Sequence, residues 1–202
     1  MKQQEKILII DFGSQFTQLI TRRVREANVY SEIHSHKITF EEIKKFEPTG
    51  IILSGGPMSV YDKDAPDLDE RILKINVPVL GICYGLQLIS KKLGGKVEPA
   101  KDREYGRAIL NIIETSPLFN NVDNESKVWM SHGDYLTELP KGFDIIAKSD
   151  HSPIGAVANE SEKIYGVQFH PEVVHTDEGI KIIHNFLFDI CGCTGNWTSH
   201  NF

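Results

Sequence analysis

The chain predicts an α/β fold built on an open, twisted, mostly parallel sheet with helices on both faces, joined to a smaller antiparallel β portion. Three observations carry this. Continuously apolar runs recur in the first half, at Lys6–Asp11, Gly50–Ser54 and Val77–Cys83, without the alternation of a half-exposed strand. Segments with helical spacing lie between them, the order that parallel strands require. After about Gly95 the runs shorten and follow one another without intervening helices, until a last strong run at Ile164–Phe169 and a closing helix.

Taken in order, Lys6–Asp11 is rich in β-branched residues and ends at the turn signal Gly13. From Gln15 to Glu26, Phe16, Leu19, Ile20 and Val24 fall on one helical face, with Arg22, Arg23 and Arg25 mostly opposite. A strand at Tyr30–Ser35, a short helix from Thr39 to Phe46 and the strand Gly50–Ser54 follow. Leu68–Ile75 reads as helical, Val77–Cys83 as a buried strand, and Tyr84–Leu93 as a helix stopped by Gly94-Gly95. The shorter β runs are Gly106–Ile113, Val128–His132, Phe143–Lys148 and Ile154–Ala158. In the closing helix Asp177–Cys191, the spacing puts Ile180, Ile183, Phe186, Leu187 and Ile190 on the buried side. The Gly-, Thr-, Asn- and Ser-containing tail after Cys191 reads as departure from the domain, so one domain is expected over 1–190 and the start of a linker over 191–202.

Composition narrows the function classes. At 202 residues the chain suits one domain with a full core, and its 40% apolar and 25% charged content is ordinary for a globular protein. A net charge of −6 argues against nucleic acid as a partner. No apolar run reaches the length of a membrane span, and Asp11 interrupts the N-terminal apolar run too early for a signal peptide. Three cysteines do not make a disulfide framework, and the three Asn-x-Ser/Thr sequences read as chance in a cytoplasmic protein. The histidines are scattered. His34/His36 and Cys191/Cys193 each amount to half a metal site, so no metal is expected.

In sheets of this kind function collects at the carboxyl ends of the strands, and three features fall there. Gly81-Ile-Cys83-Tyr-Gly85 sets a nucleophile between two glycines at a strand–helix junction, the form of a nucleophile elbow with Cys in place of Ser. The glycines permit a tight turn, and the following helix start favours a reactive thiolate. A lone Cys is more often a small buried hydrophobe; the flanking glycines reverse that reading. His170-Pro171-Glu172 directly follows the strand Ile164–Phe169. On an extended segment, side chains two apart point the same way, so Glu172 is expected beside His170, fixing its tautomer and supporting the imidazolium. Ser54-Gly55-Gly56-Pro57, after a third strand, would let backbone N–H groups approach a ligand; a plain turn or a phosphate loop stays open on these residues alone.

Together, Gly81-Ile-Cys83-Tyr-Gly85-Leu-Gln87, the Ser54–Pro57 turn and Val167-Gln-Phe-His170-Pro-Glu172 resemble the class I (triad) glutamine amidotransferases, whose sheet is flavodoxin-like. More narrowly, Asp11-Phe-Gly-Ser-Gln-Phe-Thr-Gln-Leu-Ile20, Trp129-Met-Ser-His132-Gly-Asp134 and Pro171-Glu-Val-Val-His175-Thr176 are similar to the glutaminase half of the GMP synthases. Cys191-Gly-Cys193-Thr-Gly-Asn-Trp197 resembles the linker into that family's synthetase half. The resemblance covers essentially the whole chain, but the family's Ser-Gly-Gly-x-Asp-Ser phosphate loop does not occur, so the chain reads as an excised domain.

The resemblance implies that Cys83 attacks the side-chain amide of glutamine, that His170 protonates the departing ammonia, and that Glu172 orients His170. It implies an oxyanion hole from the backbone N–H groups of Gly56 and Tyr84. It further implies substrate contacts from Gly55, Gln87 and a loop of His132, Gly133 and Asp134, with Asp134 facing the α-ammonium. No cofactor is expected here; ATP and Mg would serve an ATP-pyrophosphatase half, in cis or in trans, that uses the ammonia to aminate XMP to GMP in a parent that could be a homodimer. Rival readings are a glutaminase component of another synthetase, a γ-glutamyl hydrolase, or a non-catalytic regulatory domain of the same fold. The last would be favoured by loss of Cys83, His170 or Glu172, and all three are present.

Overall fold

A computed structural model describes residues 4–150 and 152–198, with backbone alone for 101–104. Its centre is one nine-stranded sheet. The strands are β1 (Lys6–Asp11), β2 (Tyr30–Ser35), β3 (Gly50–Leu53), β4 (Val79–Ile82), β5 (Lys96–Ile112), β6 (Glu125–Glu138), β7 (Asp144–Ser149), β8 (Ala156–Asn159) and β9 (Ile164–Val167). The helices are α1 (Thr17–Glu26), α2 (Phe40–Phe46), α3 (Tyr84–Lys92) and α4 (Gly179–His184). Spatial order is β2-β1-β3-β4-β9-β8-β7-β5-β6. The pairings from β2 through β9 are parallel, and those from β9 through β6 antiparallel. The antiparallel portion is thus continuous with the parallel sheet, and β9 belongs to both.

Strand periodicity sorts the core into two layers. Ile7 and Ile9 of β1, Ile52, Leu80, Ile82, Tyr165 and Val167 pack with Ile20 and Val24 of α1 and with Ile182, Ile183, Phe186 and Leu187 near the C-terminus. Leu8 and Ile10, Ile51, Leu53, Val79 and Ile164 pack instead with Ile43 of α2 and Leu86, Leu88 and Ile89 of α3. Both faces are therefore covered, which is why these strands read as unbroken apolar runs. The chain passes from β1 out to β2 and then crosses back to β3 on the other side of β1, so a crevice opens at the carboxyl ends of β1 and β3.

Several boundaries differ from the sequence reading. Leu68–Ile75 contains only a 3-10 turn, Glu70–Lys74, started by the Asp69 side chain accepting from the Arg71 amide. The β5 and β6 strands are far longer than their apolar segments, because two neighbouring strands pair through their backbones whatever the side chains. Ile180, expected inside, is 52% exposed. The helix starts only at Gly179, and its inward stripe runs through Gly179, Ile182, Ile183, Phe186, Leu187 and Ile190, with Ile180 to the side of it. The stripe crosses a π-helical stretch, Asn185–Ile190, where the Cys191 N–H reaches Phe186 O at 2.9 Å. The tail is held through its described part: Thr194 bonds the Glu5 carboxylate, and the Trp197 amide donates to Asn28 O. Residues 199–202 of the expected linker lie outside the described residues. No helix among the described residues is long and apolar enough to cross a membrane.

Candidate active site

The strand β4 delivers Cys83 to the carboxyl edge of the sheet, and α3 starts at the next residue. Between them the backbone of Cys83 sits at φ 50°, ψ −105°, a region that side chains rarely occupy. The turn is over-determined. The Cys83 N–H donates to Val167 O at 2.8 Å, and the Gly85 N–H to Ser54 O at 3.1 Å. A Cβ at Gly85 would lie 2.7 Å from that of Leu53, and one at Gly81 would lie 2.7 Å from Gly85 C and Leu86 N. Only glycines at these two positions let α3 pack this close to the sheet.

His170 follows β9 and is pinned on both sides. Its N–H donates to Trp129 O at 3.0 Å, its C=O accepts from Thr176 Oγ1 at 2.6 Å, and the Phe16 ring meets its imidazole edge-on at 5.3 Å. The expected pairing with Glu172 is present, with Nδ1 and Oε1 2.8 Å apart. The expected reason for it is not: residues 171 and 172 turn rather than extend, and the turn brings the carboxylate back to Nδ1. A carboxylate only accepts, so Nδ1 carries the proton and Nε2 is the nitrogen left for Cys83. Glu172 is wholly buried, and its own C=O accepts from Arg23 Nε at 3.1 Å. Burial by itself would push the His170 imidazolium down. The Glu172 charge and hydrogen bonds to Cys83 and Glu172 outweigh it and leave His170 raised to about 10.

These groups open onto a cavity of about 770 Å³, within the usual span of small-molecule sites. Cys83, His170, Gly56, Gln87, His132, Gly133 and Asp134 all line it. Gly55 does not. It backs Cys83 and His170, and a Cβ there would lie 3.1 Å from His170 Cε1. The Tyr84 amide is the first of α3, one of the N–H groups a helix start leaves without an intrahelical acceptor. The Gly56 amide donates to no protein acceptor among the described residues. His132, Gly133 and Asp134 are not a loop; they lie inside β6, opposite the register shift between Pro99 and Glu104 on β5. The main-chain oxygen of Asp134 accepts from Gln87 Nε2 at 3.0 Å and from His132 Nδ1 at 2.9 Å.

Three site residues escaped the sequence reading. Phe16 fits the apolar face of α1 but precedes the helix and lines the cavity. Ser131 contributes its carbonyl, which accepts from Cys83 Sγ at 3.5 Å. Gln168 donates to the same sulfur at 3.6 Å. For Gln168 the available signals were its place in the Val167–Glu172 motif and its polarity beside the apolar run Ile164–Val167; nothing in the sequence marks a carbonyl such as that of Ser131.

The model of the family "Glutamine amidotransferase class-I" matches residues 8–190. The chain is 56% identical over 200 residues to a glutamine-hydrolysing GMP synthase of Listeria innocua, and 56% identical over 201 residues to that of Staphylococcus carnosus. In both cases it covers at least 99% of itself but only 39% of the relative. Among solved structures, a putative GMP synthase subunit from Thermoplasma acidophilum superposes with a TM-score of 0.82 at 32% identity, covering 95% of this chain and 96% of that one. A glutamine amidotransferase from Thermotoga maritima, at 24% identity and TM-score 0.71, shares the fold. With the family model matching residues 8–190 and a solved relative matched almost from end to end, the chain belongs to the class-I glutamine amidotransferases.

Proposed function

We propose that this domain hydrolyses glutamine to glutamate and ammonia as the glutaminase part of a GMP synthase. The observation that carries the reading is the buried Cys83–His170–Glu172 unit at the mouth of one cavity. With the proton held on His170, the Cys83 sulfur attacks the side-chain carbonyl carbon of glutamine. The oxygen that becomes negative is met by the Gly56 and Tyr84 amides. His170 returns the proton to the nitrogen, the C–N bond breaks, and ammonia leaves a γ-glutamyl thioester. Water, deprotonated by His170, then adds to the thioester, and glutamate departs as the thiol reforms. Glu172 holds the imidazole and balances its charge throughout. Gln87 and the Gly55 turn position the amide end, while His132, Gly133 and Asp134 receive the α-amino and α-carboxylate groups.

The chain spans about two fifths of the length of the curated relatives it matches. We therefore assign ATP, Mg and XMP to a synthetase half of ATP-pyrophosphatase type, in cis or in trans, with residues 1–190 as the glutaminase domain, 191–202 as the start of the connection, and the cytoplasm as the location. The test is glutamate release by the chain alone and after adding a separately produced synthetase half with ATP and XMP. A rise of about tenfold or more, roughly 1.4 kcal/mol of transition-state stabilisation, is expected. Full turnover without the partner would point instead to a stand-alone glutaminase or γ-glutamyl hydrolase.

A further inference from the structure

We propose that Gln168 is a positioning residue that holds the Cys83 sulfur and sets the orientation of the Gln87 amide. Gln168 has no solvent exposure, and a buried carboxamide is tolerated only when its groups are paired. Its Nε2 donates to Cys83 Sγ at 3.6 Å, and its Oε1 faces Gln87 Nε2 at 3.5 Å. Gln87 Nε2 also donates to the main-chain oxygen of Asp134 at 3.0 Å. Both neighbours of that nitrogen can only accept. The Gln87 amide therefore has one satisfactory orientation, and its Oε1 is left to accept an N–H from a carboxamide entering the cavity. One residue thus links the nucleophile to the group that reads the amide.

The link matters most when the proton leaves sulfur. The thiol donates to Ser131 O at 3.5 Å, and the thiolate cannot. Gln168 is then the uncharged side-chain donor that remains on the sulfur, beside His170. The other ionisable groups around it are Glu172 behind His170, His132 and Asp134 from β6, and Asp62 and Tyr105 on the cavity wall. His170 bonds the sulfur.

The inference rests on the Cys83 chemistry proposed above and is tested without relying on glutamine turnover. In Gln168→Met the shape is kept and both hydrogen bonds are lost; in Gln168→Glu the acceptor is kept and a negative charge faces the sulfur. Alkylation of Cys83 by iodoacetamide at neutral pH should slow by about tenfold or more in each, the loss of one hydrogen bond to a charged acceptor. The pH–rate profile should move to higher pH, furthest in Gln168→Glu. Glutamine KM should rise more in Gln168→Met than in Gln168→Glu. In the unaltered chain, the Gln168 side-chain NH₂ resonances should shift when Cys83 is alkylated, a readout that does not depend on either variant folding. Parental alkylation rates and profiles in a folded variant, or unmoved NH₂ resonances, overturn the proposal. Loss of glutaminase activity in the unaltered chain, with these resonances still responding, would overturn the glutaminase reading and leave Gln168 in its role.

Discussion

The parallel and antiparallel halves of the sheet meet at one cavity and supply it in different ways. From the parallel half come Cys83, the Ser54–Gly56 turn and His170, all at strand ends; main-chain bonds tie Cys83 to Val167 and Ser54 to Ile10 on neighbouring strands, and His170 to Trp129 of β6. Every residue of β3, β4 and β9 is buried. From the antiparallel half come Ser131 to Asp134, in mid-strand on β6, where buried and part-exposed residues alternate along the outermost strand. Strand ends in a two-sided core leave a side chain little freedom, which suits groups that must meet a reacting atom within a fraction of an ångström. A ribbon with one open edge can present several polar groups to a substrate without straining the core.

This division can be broken by experiment. Its largest expected effect is in Cys83→Ala, which should lower glutaminase turnover by on the order of 10⁴–10⁶ because nucleophile and base act as a unit. Calorimetry should show glutamine still bound, since the cavity walls are untouched; retention of turnover would place the chemistry elsewhere. Asp134→Asn, on the ribbon, should raise KM about tenfold while leaving kcat nearly unchanged, the mark of a contact made equally in ground and transition states. Steady-state kinetics that reversed this split would move β6 into the reacting shell.

The smallest effect concerns stability. His170 is raised in the folded chain from its ordinary 6.5 to about 10. Its contribution is therefore fully present below pH 6.5 and is lost as pH rises toward 10, where the folded form must give up the proton. The Tm should fall across that window, and the fall should be shallower in Glu172→Gln, which removes the charge that holds the imidazolium. Thermal melts at intervals from pH 6 to pH 10 give the comparison. Parallel slopes in the two proteins would mean that Glu172 does not hold the proton on His170.

The parallel half was the more legible in sequence. Strands buried on both faces announce themselves as apolar runs, and Gly81 is demanded by contacts with Gly85, Leu86 and Ile89 nearby in sequence, whereas Gly85 is demanded by Leu53 on another strand. His170 and Glu172 were paired correctly for a reason that the turn at Pro171 replaces. The antiparallel half was read less well. The extent of β5 and β6 follows from pairing across the chain, and Ser131-His-Gly-Asp134, with a glycine and no apolar alternation, carries the composition of a loop. Ile180 was misplaced because the start of the helix depends on packing against the turn after Pro171. Gln168 and Phe16 stand in segments whose apolar neighbours argue for core; only the folded arrangement shows which atoms they face.

The left-handed backbone at Cys83 has a consequence for anyone improving the robustness of this domain. A residue other than glycine in such a conformation costs of order 1–3 kcal/mol, and glycine would relieve most of it. A library sorted on heat resistance alone should therefore drift toward Cys83→Gly and deliver sturdier, inert proteins. Any such selection needs catalytic turnover as a second criterion, because at this position durability and activity point in opposite directions.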